Sequence, residues 1–187
     1  RGGDVNAQDG EPLLSPLGAA ALGGQKDVAA FLISQGASVN AEQEERTSAL
    51  HLAAWGGSKE VAELLIANGA KVNAKTQGGG TPLGVAASHG AKDVVLLLID
   101  HGADVNAEDV QKSRPFDAAV RAGRKDVAKL LADKGADASH QDYLLFRACG
   151  QVDKDLAELV IRKGADVTSQ AWAYAPAMEA MWSGYTK

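Results

Sequence analysis

At 187 residues, 45% of them apolar, the chain has the material for one packed domain or a short repeat array, and length does not separate the two. A net charge of −5 with no visible Lys/Arg stripe argues against a nucleic-acid binder held by phosphate neutralisation. The single cysteine, Cys149, excludes an intramolecular disulfide and a cysteine-built metal site, and no apolar run nears the roughly 18 residues of a membrane span.

In chain order, Gly3-Asp4-Val5-Asn6-Ala7 reads as the tail of one unit (residues 1–7), and further units follow. The first, 8–41, opens with a loop one residue longer than its successors and then runs from Ser15 to Leu22. The strings Ser48 to Trp55, Thr81 to Ser88 and Arg114 to Arg121 repeat it at a period of 33 residues, in units 42–74, 75–107 and 108–140. Ser15, Ser48 and Thr81 stand where a short hydroxyl caps a helix by accepting from a free backbone N–H. Pro16, Pro82 and Pro115 follow at the first helical position, where a missing N–H costs nothing. This first helix ends at Gly24, Gly57, Gly90 and Gly123. A second begins at the Lys-Asp/Glu-Val steps Lys26, Lys59, Lys92 and Lys125, with its acid near the positive helix end. Its Val, Leu and Ile positions recur every three to four residues as an apolar face, and Gly36, Gly69, Gly102 and Gly135 stop it in a left-handed conformation. The polar stretches between units read as projecting β-turns. A fifth, shortened unit spans 141–169, with Tyr143 near its start, and a partial, atypical sixth spans 170–187.

The period and the string from Ser48 to Trp55, with Thr81-Pro82-Leu83 one unit on, resemble the ankyrin repeat and its Thr-Pro-Leu-His-x-Ala signature. The resemblance covers essentially the whole chain. It implies an all-α solenoid of about five stacked helix-turn-helix units with projecting β-turn or hairpin loops, each unit touching only its neighbours. The signature histidine stands only at His51; Gly18, Gly84, Asp117 and Phe146 replace it elsewhere, which predicts looser bonding between turns. Asn40, Asn73 and Asn106 resemble the turn asparagines that oxygen-dependent hydroxylases modify in some ankyrin proteins.

No catalytic constellation accompanies the repeat. His51, His89, His101 and His140 fall at unrelated repeat positions with no metal-ligand spacing, and Cys149 stands at a tightly packed helix position as a small hydrophobe. Gly78, Gly79 and Gly80 lack the Lys-Ser/Thr of a phosphate loop and read as a turn tip; Asp27 and Glu60 read as helix-end acids. The expectation is therefore a chain without catalytic residues, cofactor or metal.

By resemblance, the function is a protein–protein interaction module whose groove, built from turn tips and first helices, binds a partner protein. Stacking turns equivalent positions into columns. The varying ones are Leu22, Trp55, Ser88, Arg121 and Trp182; then His89 in the next column; and Glu44, Glu45, Gln77 and Gln111 at the turns. Trp55 is an interface anchor or packs over the neighbouring unit; Trp182, with Trp172 and Tyr174, covers the end of the stack or forms a second anchor. The alternative is a targeting or regulatory segment of a larger enzyme, channel or effector, since the sequence opens and stops within units. The remaining expectations are a monomer with no nucleic acid and no membrane insertion, in the cytoplasm or another reducing compartment.

Overall fold

A computed structural model of the chain describes residues 4–7, 14–137 and 154–164, apart from the Glu44 side chain. The sixth unit, Trp182, Trp172, Tyr174, Tyr143, Phe146, Cys149 and His140 lie outside the described residues.

Within them the chain is helical, in pairs. The inner helices are α1 (Pro16–Leu22), α3 (Ala49–Gly56), α5 (Pro82–His89) and α7 (Pro115–Arg121). The outer helices are α2 (Lys26–Ser34), α4 (Lys59–Ala67), α6 (Lys92–Asp100), α8 (Lys125–Asp133) and α9 (Lys154–Arg162). Helices of seven to nine residues are too short to persist alone in water, so packing must hold them. Inner helix packs on inner helix and outer on outer along the array, with α1 on α2, α3 on α4, α5 on α6 and α7 on α8 within units. Leu17, Leu50, Leu83 and Phe116 form one buried column in the inner layer; Leu65, Leu98 and Leu131 form another in the outer layer. Buried Ala21, Ala54 and Ala87 let the inner helices close on one another. The approach is close at Gly56, where a Cβ would run into the Leu22 carbonyl oxygen.

Two of the three expected hydroxyl caps form, whereas Ser48 Oγ instead meets His51 Nδ1 at 2.8 Å. Ser15 Oγ accepts from the Gly18 N–H at 3.1 Å, and Thr81 Oγ1 from the Gly84 N–H at 3.2 Å. Gly36, Gly69, Gly102 and Gly135 end the outer helices at φ between 82° and 93°, where a side chain would be strained. The turns close as hairpins through Gln43 N–H to Thr47 O (2.8 Å), Thr76 N–H to Gly80 O (2.9 Å) and Asp109 N–H to Ser113 O (3.0 Å).

Two sets of bonds tie unit to unit. Each turn asparagine, Asn6, Asn40, Asn73 and Asn106, accepts through Oδ1 from the N–H of Ser38, Lys71, Asp104 or Asp137 at 2.8–3.0 Å. Each also donates from Nδ2 to the carbonyl of Gly36, Gly69, Gly102 or Gly135 at 2.8–3.4 Å. At the tips, Gln77 N–H donates to Glu45 O (2.7 Å) and Val110 N–H to Gly78 O (3.1 Å). These asparagine bonds recur alike around the unit that keeps His51 and around units that lack the histidine, and His51 adds its own bond to the Gly80 carbonyl.

The first unit differs at its outer helix. Val61, Val94 and Val127 are buried, whereas Val28 at the same position is 48% exposed and Phe31 61% exposed.

Candidate groove on the inner-helix face

The polar group at the start of each inner helix is satisfied in a different way from unit to unit, and this sets the floor beneath the variable columns. In the second unit, buried His51 places Nδ1 2.8 Å from Ser48 Oγ and 3.2 Å from Ser48 N, while Nε2 lies 3.1 Å from the Gly80 carbonyl. A carbonyl can only accept, so Nε2 carries the proton and Nδ1 accepts. Burial lowers the imidazole pKa, consistent with this neutral tautomer. In the first unit Gly18 leaves the space open, and Gln43 reaches into it from the following turn, its Oε1 accepting from the Ser15 N–H at 2.9 Å. In the fourth unit Asp117 Oδ2 accepts from the Arg114 N–H at 2.8 Å, the reciprocal half of a capping box.

Arg114 and Asp117 form a charged cluster within the packed layer. The Arg114 guanidinium, 12% exposed, meets Glu108 Oε1 and Asp137 Oδ2 at 2.9 Å each. Hydrogen bonding from Arg114, then from Lys112, holds the Glu108 carboxyl below its ordinary range. Asp117 is fully buried, and burial pushes its carboxyl up to about 6 despite the nearby arginines. Its Oδ1 has no hydrogen-bond partner among the described residues.

The variable columns stand above this floor. Leu22, Trp55, Ser88 and Arg121 all fall in the last turn of an inner helix, which brings them to one face. Trp55 is 58% exposed and Leu22 36% exposed. The Trp55 ring lies 4.5 Å from the His89 ring at a 34° tilt, so it packs on the next unit and still presents surface. Leu22, Trp55 and Glu45 line one depression of about 560 Å³, together with Leu14, Leu52 and Val85. Ser88 and Arg121 line a second, of about 200 Å³, that shares Val85 as a wall.

The remaining candidates divide. Ser88 Oγ donates to Val85 O (2.8 Å) and Arg121 to Ser113 Oγ (2.5 Å), so both are engaged within the fold. Gln77 and Gln111 are exposed at the tips but line neither depression. Glu44 sits in the 3-10 turn Glu44–Arg46, its side chain not described, and Trp182 lies outside the described residues. Leu52 and Val85 were missed as lining residues because they belong to the repeated string. The signal was present: their equivalents Ala19 and Ala118 are small, so this column also varies.

A family model described as "Ankyrin repeats (3 copies)" matches residues 1–76 and again 72–142. No curated protein matches the chain. Among the described residues, no helix is long and apolar enough to cross a membrane.

Proposed function

The chain belongs to the ankyrin-repeat family, whose arrays are in general protein–protein interaction modules and typically non-catalytic, and from that premise we propose that it binds a partner protein through the depression beneath Trp55. The observation that carries the reading is Trp55 itself: a large aromatic over half exposed, on a helix end, beside an apolar hollow of about 560 Å³. Exposing an indole is unfavourable unless something covers it in use, and Trp is enriched among the residues that dominate interfaces. Its backing against His89 restricts the ring, so less freedom is lost on binding. Leu22 and His89 complete the proposed centre, with Glu45 at its edge. Ser88, Arg121, Gln77 and Gln111 are proposed as rim contacts of smaller effect.

The test is affinity purification with the full-length protein, followed by titration of a purified partner against Trp55→Ala and Leu22→Ala. Loss of at least about tenfold in affinity for Trp55→Ala, with an unchanged melting temperature, is expected. A purified partner that binds both variants as tightly as the wild type removes this groove from consideration.

A further inference from the structure

Resting on the reading of the Trp55 depression as the binding surface, we infer that its ligand is a linear peptide segment carrying an aliphatic side chain next to an arginine or lysine. The charge of the groove carries the argument. Among the described residues lining it, Glu45 is the charged one, and His51 is held neutral by its bonds to Ser48 and Gly80. Glu42, in the same turn, already pairs with Arg46 at 3.0 Å. The Glu45 carboxylate makes no hydrogen bond or ion pair among the described residues.

Covering such a carboxylate with an apolar or acidic ligand strips its water and returns nothing. A cationic side chain restores the lost interaction. Arginine fits better than lysine, because its flat guanidinium can meet a carboxylate through two N–H groups and also lie against an indole face. The rest of the groove wants the opposite chemistry: Leu22, Leu52 and Val85 present aliphatic surface beside Trp55. A volume of about 560 Å³ lies within the span of ligand clefts.

The backbone that carries this carboxylate is also held before a ligand arrives. Glu45 and Arg46 both hold left-handed backbone, φ 54° and 60°, which non-glycine residues seldom adopt. The Glu45 carbonyl accepts from the Gln77 N–H at 2.7 Å, and the Arg46–Glu42 pair closes the other side of the turn. An acid on a held turn at the rim of an apolar hollow selects for charge as well as for shape.

The experiment displays a random twelve-residue peptide library to the full chain, as wild type, Trp55→Ala, Glu45→Gln and Glu45→Lys. Circular dichroism melting first establishes that each variant is folded. Expected are peptides enriched in Arg or Lys beside Leu, Ile or Val, whose synthetic versions lose at least about tenfold in affinity on Glu45→Lys and several-fold on Glu45→Gln. Replacing the peptide's own basic residue by glutamate should weaken binding to the wild type and restore it to Glu45→Lys. If the selected peptides need Trp55 but carry no excess of basic residues, or bind Glu45→Lys within twofold of wild type, the charge inference is overturned and the groove reading survives. If no selected peptide depends on Trp55, both are overturned.

Discussion

Asp117 occupies the place that His51 holds two units earlier, and it does half of the same work by accepting from the backbone N–H at the start of its helix. The substitution leaves a carboxyl where a neutral ring would be more at ease, and burial raises its pKa from 3.8 to about 6. Because the folded value is the higher, the folded chain holds this proton between those limits while the unfolded chain releases it. The group's contribution is therefore complete below about pH 3.8 and is lost as pH climbs through about 6. Glu108, whose carboxyl is lowered, acts in the opposite sense, losing its contribution as pH falls. Urea midpoints measured from pH 4 to pH 7.5, roughly the interval concerned, should separate the two. Asp117→Asn keeps an acceptor for the Arg114 N–H, so its midpoint should rise relative to wild type as pH increases. A wild-type-minus-variant difference that stays flat across that range would refute the assignment. At this scale the sequence was partly legible. The histidine substitutions are visible, but their replacements are not: Gln43 answers Gly18 from another unit, and nothing in local spacing announces it.

At the scale of the element, the helices and their ends were readable because propensity, capping and period agree at every copy. Close approach between elements is less readable, since one glycine looks like another in a string. Gly56 and Gly36 illustrate the difference. A Cβ at Gly56 meets the Leu22 carbonyl oxygen, so Gly56→Ala should force α3 off α1 and cost about 2–3 kcal/mol by chemical denaturation. At Gly36 nothing lies within 4 Å of a Cβ, but φ is +90°, so Gly36→Ala should cost about 1 kcal/mol through backbone strain alone. Equal effects at the two positions would contradict the geometric distinction. The asparagine ladder makes a second claim at this scale. Asn73→Ala removes one acceptor from the Asp104 N–H and one donor from the Gly102 carbonyl, at an exposed site where water replaces part of the loss. A cost of about 1–2 kcal/mol is expected, comparable in denaturant titrations for Asn40→Ala.

Among the described helices the main contacts run between neighbours: α3 meets α1 and α5, and α4 meets α2 and α6. Stability in such a stack is a sum of unit terms and interface terms, with no core common to all units. That is also why the array could be inferred from period alone, whereas the groove could not. A column tells which positions align, but its depth depends on what the neighbouring unit supplies, as His89 supplies backing for Trp55. Leu98 lies in the outer layer of the third unit, fully buried, so Leu98→Ala should remove about 2–5 kcal/mol. In a single cooperative core that loss would lower every slow-exchanging amide alike. Here it should fall mainly on the third unit and its two interfaces. Amide exchange in α5 and α6 should therefore accelerate by orders of magnitude, while α1 and α2, one unit further away, keep most of their protection. Trp55→Ala, by contrast, should leave that pattern nearly unchanged, since the indole is more than half exposed and its loss opens no cavity in the buried columns. Uniform loss of protection from α1 to α8 in Leu98→Ala would mean that the units unfold as one block.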